Sequence, residues 1–441
     1  MKNISLISCT VVICFLGISS SVFSQQKPTE WDLKSCINYA LENNIQIKKL
    51  EQSVEINKVD FVQSKAERFP SLNGGIGQSF TNQMAASGSK QQQSFTGNYS
   101  LQSSMVLYNG NKLNNAIRQN ELLVKSGELS VKESGNNMEL TITAAYLKIL
   151  YARESVVNAE NTLISSETQY KRAKVLFESG YIAESNYAQV QSQYSSDKYA
   201  LVVANNDLSV QILQLKQLLQ LGINDSISIK FPVLDENQVL KALPAKQDVF
   251  NSALNIIPEI ENSKTNMDVA AIDLNIARAG LLPILSLSAS LATGYSSLAS
   301  ANYPTELGNN FYQNAGLSLN IPIFNKKQVK SSIAKAQIGI ETAKLSYTET
   351  QTNLLTQVET AYLNALSAQG RFQAATEQLK YTQISYSLVE EQFNLGMKNT
   401  VDLLTEKTKY LAAQQEYLQA KYTAILNYKI LDFYQDKPIE L

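Results

Sequence analysis

The 441-residue sequence has no histidine, three cysteines and one tryptophan, and neither charge dominates, with 38 Lys and Arg against 39 Asp and Glu. Without histidine, no His-based catalytic triad and no His-ligated zinc site can be assembled. Balanced charge removes the basic footprint expected of a nucleic-acid binder. No G-x-S-x-G, Walker A or G-x-G-x-x-G segment occurs, so nucleophile elbows and phosphate-cradling loops are absent too. The glutamates are scattered over helix faces rather than paired across a cleft, which leaves a secreted hydrolase no site to use. Beyond residue 24 no run approaches the ~20 apolar residues of a membrane-spanning helix. Any membrane contact therefore falls to strands.

Residues 1–24 read as a cleavable export signal. Lys2 is the basic start, LISCTVVICFLGI the apolar core, and Val22-Phe23-Ser24 the small-residue site before Gln25. Cys9 leaves too short an apolar core for a lipid-attachment cysteine, and Cys14 is followed by more apolar residues. Removal of the signal leaves a chain of net charge about −2. Cys36 is then the remaining cysteine, so no disulfide forms within the chain and stability rests on packing or assembly.

What the chain does contain is itself, twice. YALENNIQI (39–47) matches SALNIIPEI (252–260), and RFPSL (68–72) matches LLPIL (281–285), both at an offset of 213. VLYNGNK (106–112) matches PIFNKKQ (322–328) and AAYLKIL (144–150) matches TAYLNAL (360–366), now at 216. The change of offset falls in a polar stretch between residues 78 and 97, where an exposed loop tolerates length variation. The duplication divides the chain into 25–222, an inter-repeat segment 223–243, and 244–441.

Each unit reads as helix, strand, loop, strand, very long helix, tight turn, helix. The first helices, about 32–67 and 245–280, stop before Pro70 and Pro283, since a residue preceding proline is driven out of helical conformation. Along the strands Leu285, Leu287, Ala289 and Leu291 alternate with Ser286, Ser288 and Ser290. Leu317, Leu319, Ile321 and Ile323 alternate with Gly316, Ser318 and Asn320 in the same way, as do Tyr99, Leu101, Met105 and Leu107 with Ser100, Gln102 and Ser104. Residues 72–80 are glycine-rich and give a weaker strand signal. The alternation suits a barrel with lipid outside and water inside; a hairpin laid on a soluble core fits these strands equally.

The long helices carry more information. Alternating steps of 3 and 4 from Ile333 reach Leu354, one extra step of 4 gives Val358, and the alternation then runs to Phe393. Of the 18 positions on this seam only Thr350 and Thr382 are polar, and subtracting 216 gives a matching seam from Ile117 to Phe177. A sustained 3.5-residue repeat with one inserted step is coiled-coil packing with a stutter. About 60 residues of helix span roughly 90 Å, too long for the core of a compact domain. The returning helices, about 183–222 and 400–434, are apolar on more than one side, as helices in a ring are. Gly222 is expected to end the first of them, and Ile227, Ile229 and Phe231 suggest a short strand in the inter-repeat segment.

Both hairpins turn at a glycine, Gly180 in FESGY and Gly396 in FNLGM. Glycine suits the left-handed residue just past a helix end, and Ser185 and Thr400 suit N-caps for the returning helices. Asp402 then falls in a helix first turn, where the macrodipole alone stabilises a carboxylate.

In order and in duplication, these helices, the FPSL and LPIL corners, the VLYNGNK and PIFNKKQ corners and the paired glycine turns resemble the TolC-like outer-membrane efflux proteins, the outer-membrane factor family, across essentially the whole mature chain. The resemblance implies a mainly α fold with β. Long antiparallel coiled-coil helices would form a periplasmic α-barrel, and four strands per chain would enter a 12-stranded outer-membrane β-barrel shared by a homotrimer. It implies a passive exit duct of a Gram-negative cell, without cofactor or catalysis, for efflux or type I secretion. The partners implied are outer-membrane lipid, a periplasmic adaptor and an inner-membrane pump of the RND, ABC or MFS type, with no nucleic acid.

In that family the far helical end is the gated entrance, lined by aspartates. Its pattern of Gly, Arg two residues on, and Asp six and nine residues on maps here to Gly396, Lys398, Asp402 and Thr405. Asp402 matches; Lys398 replaces Arg, Thr405 replaces Asp, and Asn186 stands where the first unit would carry its acid. The entrance is therefore expected to be less acidic than the family pattern, with Glu406 and Glu184 the nearest acids. Lys398 and Glu406 are candidates for holding it shut. The tips Gly180, Tyr181, Leu395, Gly396 and Met397 are candidate adaptor contacts. A structural periplasmic coiled-coil protein without a pore is the competing reading, and the substrate cannot be read from these residues.

Overall fold

The computed structural model describes residues 30–83, 92–232, 234, 239–299 and 301–441. The export signal with Cys9 and Cys14, and the middle of the polar stretch where the offset changes, lie outside the described residues. The first unit runs α1 (Leu33–Asn43), α2 (Ile45–Ala66), β1 (Ser71–Gln83), β2 (Gln92–Tyr108), α3 (Lys112–Glu178) and α4 (Glu184–Leu218). The second runs α5 (Lys246–Ile256), α6 (Pro258–Ala279), β3 (Ile284–Ser296), α7 (Tyr303–Asn309), β4 (Tyr312–Asn320), α8 (Gln328–Asn394) and α9 (Thr400–Phe433).

Each opening helix, expected as one, is two. Asn44 takes an extended conformation, and its side chain accepts from the N–H groups of Gln46 and Ile47, ending α1 and capping α2 together. In the second unit Ile257 is extended because Pro258 follows it. The residue-before-proline rule applied at Pro70 and Pro283 applies there as well. Other local expectations shift too. β4 ends at Asn320, so Ile321 and Ile323 lie beyond it; Pro322 has no N–H to extend the ladder. The strand expected around Ile229 is a single parallel bridge to Trp31. Gln220, not Gly222, takes the left-handed position after α4, with the Leu221 N–H returning 2.9 Å to the Lys216 carbonyl.

The four strands form one antiparallel sheet in the order β1-β2-β3-β4. The units therefore meet at β2 and β3, and β1 and β4 are edges without a partner among the described residues. Glycine-rich β1 is a full 13-residue strand, paired from Ser71↔Ser104 to Gln83↔Gln92. Register places Ile76, Tyr99, Leu101, Leu287, Leu291 and Leu317 on one face and Ser100, Gln102, Ser286, Ser288, Ser290 and Ser318 on the other. Both strand-to-helix corners hold two successive left-handed residues, Gly110-Asn111 and Lys326-Lys327. The second pair keeps that turn without glycine, at a strain of about 1–2 kcal/mol per residue.

α3 and α8, 67 residues each, run about 100 Å. On the strand side α2, α3, α6 and α8 lie side by side in that order; on the tip side the order is α4, α3, α9, α8. So α2 and α4 share one lane of the wall, α6 and α9 another, and α3 and α8 run through both halves. All 18 positions of each seam read from the sequence are buried or half-buried, and the seven fully buried residues of α8, from Leu354 to Ala375, all lie on it. At mid-length a core closes over Trp31, Cys36, Ile142, Tyr146, Leu215 and Leu219. The Tyr146 hydroxyl donates to the Lys230 carbonyl there, tying α3 to the inter-repeat segment. Burial pushes the Cys36 thiol up to about 12, which makes it inert.

Candidate channel entrance at the helical tip

The two tips have the same geometry. Gly180 and Gly396 both sit at φ 76. In the first hairpin Gly180 N–H donates to Phe177 O at 2.9 Å and Tyr181 N–H to Leu176 O at 2.8 Å; in the second Gly396 donates to Phe393 O at 3.0 Å and Met397 to Gln392 O at 2.9 Å. This paired pattern is the Schellman motif, which satisfies carbonyls the helix end leaves open. Tyr181, Leu395 and Met397 are 81%, 70% and 71% exposed, an apolar load at the end of the molecule. The caps of the returning helices differ from expectation. Ala183 precedes α4 with no side-chain cap, so Ser185 is one residue inside the helix. Asn399 caps α9 by accepting from the Asp402 N–H at 2.9 Å, and Thr400 is the first helical residue, buried.

Asp402 lies in the first turn of α9, half exposed, with Lys398 Nζ 3.8 Å from its Oδ2. Glu406 stands one turn further along and is committed elsewhere: it accepts from Ser385 Oγ at 2.9 Å on α8 and pairs with Lys409 at 2.7 Å. Those two partners hold its carboxyl below the usual range. Glu406 therefore fastens its own hairpin, while Lys398 pairs with Asp402. The Thr405 hydroxyl turns back to the Val401 carbonyl at 2.8 Å, adding nothing acidic. Asn186 is half-buried and lines a gap of about 260 Å³ between the hairpins, with Arg172, Gln193, Lys398, Asn399 and Leu403. Glu184 opens α4 and is exposed.

Rings stiffen both hairpins: Phe177 stacks on Tyr187 at 5.0 Å, Tyr170 on Tyr194 at 5.2 Å and, in the second unit, Tyr386 on Tyr410 at 5.5 Å. Burial, with the Glu390 charge beside it, pushes the Tyr386 phenol up to about 12, so it stays neutral and donates 3.0 Å to Glu390.

The residues that join the hairpins escape the motif reading. Arg172 donates to the Asn394 side chain and, at 3.1 Å, to its carbonyl. Gln169 donates 2.9 Å to Glu390. Lys407 of α9 pairs with Asp197 of α4 at 2.8 Å, their side chains 3% and 6% exposed. Higher on α9, Lys421 pairs with Glu154 of α3 at 2.9 Å. One sequence signal was available. Lys407 and Lys421 lie 14 residues apart, two heptads, on the buried stripe of α9 that carries Leu403, and a lysine on such a stripe requires a partner.

The description "Outer membrane efflux protein" belongs to a family whose model matches residues 36–220 and 249–432, one stretch in each unit. The chain is similar to the outer membrane efflux protein BepC of Brucella suis biovar 1, 20% identical over 416 residues, covering 94% of this chain and 88% of that one. It is also similar to the outer membrane protein TolC of Escherichia coli K12, 21% identical over 422 residues, covering 93% and 83%. A solved structure of CusC superposes with a TM-score of 0.79 at 18% identity, covering 94% of this chain and 96% of that one.

Proposed function

This chain belongs to the outer membrane efflux protein family, and from that premise we propose that three copies join edge to edge into one tunnel, gated at the helical tip. It is an exit channel of a tripartite efflux or secretion system, seated in the outer membrane with a large periplasmic portion. The observation that carries the closed ring is a pair of unfinished edges. β1 and β4 end the sheet without partners among the described residues, while the α2/α4 lane and α8 end the helical wall. Both helical edges expose apolar residues: Val59, Tyr199 and Val202 on one, Leu345, Leu363 and Tyr381 on the other. Three copies of the four-stranded sheet make a 12-stranded barrel with its leucine face to lipid and its serine face to water. The helical lanes continue that ring toward the periplasm.

At the entrance, three Asp402 carboxylates focus negative potential on a narrow passage and favour cations. Lys398 reaches the same carboxylate and tempers it. The exposed tips around Gly180, Tyr181, Leu395, Gly396 and Met397 meet a periplasmic adaptor, and an inner-membrane pump supplies the energy to the duct. Heat-stable trimers in outer-membrane fractions, with steady conductance in planar bilayers, are the expected result. Monomers without conductance would return the chain to a structural coiled-coil role.

A further inference from the structure

We propose that α7, between β3 and β4, lies outside the barrel in the head-group layer of the outer leaflet, as a collar that fixes the depth of the channel. The inference rests on the membrane-barrel reading above. Its carrier is the face of the sheet from which α7 is held. The Thr293 hydroxyl donates to the Leu307 carbonyl. Tyr295 packs edge-on against Tyr303 at 4.7 Å, and the Tyr99 and Tyr303 hydroxyls meet at 3.1 Å. Register puts Thr293, Tyr295 and Tyr99 on the face of Leu287, Leu291 and Leu101, not on the serine face. α7 thus lies on the lipid side of the wall and not in the lumen.

The attachment is built in. Gln78 Nε2 donates 2.7 Å to the Tyr99 hydroxyl, and the Tyr295 hydroxyl donates 3.1 Å to Gln78 Oε1. The Tyr295 ring lies over Gly97, where a Cβ would stand 2.3 Å from a ring carbon, so only glycine fits beneath it. The Ser296 N–H donates 2.8 Å to Glu306 Oε2, and Asn310 donates 2.8 Å to the Gly294 carbonyl. Ten residues separate Leu285 from Tyr295. At ~3.3 Å per residue and a tilt near 40° they rise about 25 Å, the height of the apolar band of such barrels. The tyrosine cluster and α7 therefore stand at its outer border, where ring-and-hydroxyl side chains concentrate.

The charge pattern selects the occupant. Glu306 is the one acid from Ala301 to Phe311, there is no base, and Glu306 is turned inward, 4% exposed. What α7 presents outward is hydroxyl, amide and ring: Tyr303 at 47% and Phe311 at 49% exposed, with Thr305 and Asn309 also exposed. Such a surface donates hydrogen bonds to phosphate and sugar without repelling their negative charge.

The test is depth-resolved quenching on the full trimer in phosphatidylcholine vesicles. Cys36 is fully buried, so a bimane maleimide labels an introduced cysteine selectively. Gly308→Cys places the probe on α7, in open space, and Leu317→Cys places a control on the apolar band. A head-group nitroxide should quench the label at Gly308→Cys about threefold more than a mid-chain nitroxide does, with the order reversed at Leu317→Cys. If Leu317→Cys responds to the mid-chain nitroxide while Gly308→Cys responds only to aqueous iodide, or is quenched as strongly from mid-chain, α7 is not in the head-group layer. If Leu317→Cys also ignores lipid nitroxides, the membrane-barrel reading fails first.

Discussion

Replacing Lys407 by Met leaves Asp197 in the interior with no counter-charge. The pair is separated by 2.8 Å with both side chains almost fully buried, and Asp197 keeps only the 2.8 Å hydrogen bond from Gln193. Removing one partner of a buried ion pair costs about 3–5 kcal/mol. At tenfold per ~1.4 kcal/mol, that is a hundredfold to a few thousandfold in the equilibrium between packed and locally opened helices. Hydrogen exchange on the detergent-solubilised trimer reads this directly, in peptides covering Val190–Ala200 and Leu403–Leu411. Those peptides should lose protection by that factor in Lys407→Met, while the equatorial peptide around Tyr146 is unchanged. Substituting both residues, Lys407→Met with Asp197→Leu, should restore protection to within about 1 kcal/mol, because two apolar groups replace two charges. A single variant with wild-type exchange, or a double variant as loose as the single, would refute the reasoning.

Four further variants test other parts of the chain. Asp402→Ala should lower cation over anion selectivity in single-channel recordings, and unchanged selectivity would remove Asp402 from the pore lining. Gly396→Ala meets no atom within 4 Å but must hold φ 76, so it should cost only the left-handed strain, about 1 kcal/mol, with adaptor co-purification retained. Gly396→Trp adds bulk at the exposed tip and should abolish co-purification; full association with full efflux would exclude the tip from the docking surface. Burial raises the carboxyls of Glu133 and Glu139 above their ordinary value of 4.5, and at Glu133 the Glu259 charge acts in the same direction. A raised value means their stabilising contribution is complete below the ordinary value and is lost as pH rises through the folded one. Glu133→Gln with Glu139→Gln should therefore melt higher than wild type at about pH 7, the gap closing toward about pH 4.5. A gap that widens on acidification would reverse the sign.

Much of the architecture was legible because it repeats. The seam from Ile333 to Phe393 and its image from Ile117 to Phe177 fixed the period, the phase and the inward face of both long helices, and the glycines fixed where they turn back. What the periodicity misses depends on single residues acting locally. Asn44 breaks a helix by capping the next one with its own side chain, and no apolar pattern records that. α7 was missed because seven residues are too few to show a period. The assignment of Asp402 rests on a family spacing, whereas the bonds that join the hairpins, Arg172 to Asn394 and Lys407 to Asp197, pair residues 222 and 210 apart in sequence. Only packing reveals those partners.

The links also show that the two boundaries of the ring differ. At the offset of 216, Arg172 corresponds to Leu388, Asp197 to Ala413, Glu154 to Gly370, Lys407 to Gln191 and Lys421 to Asn205. Each of these five charges exists in one unit and has lost its image in the other. Within a chain, the boundary from the first unit to the second therefore carries the Lys407–Asp197 and Lys421–Glu154 pairs and the Arg172 clasp. The boundary from the second unit to the first unit of the next copy has none of these groups at matching positions. Parting the first boundary exposes charges that must separate, and parting the second breaks no counterpart of these pairs. The proposed entrance should then open between copies, each chain moving its two hairpins as one body. A short bismaleimide bridging Arg172→Cys and Asn394→Cys, both exposed across that boundary, should leave the open conductance intact. Loss of conductance on bridging, restored by a cleavable linker, would place the moving boundary inside the chain instead.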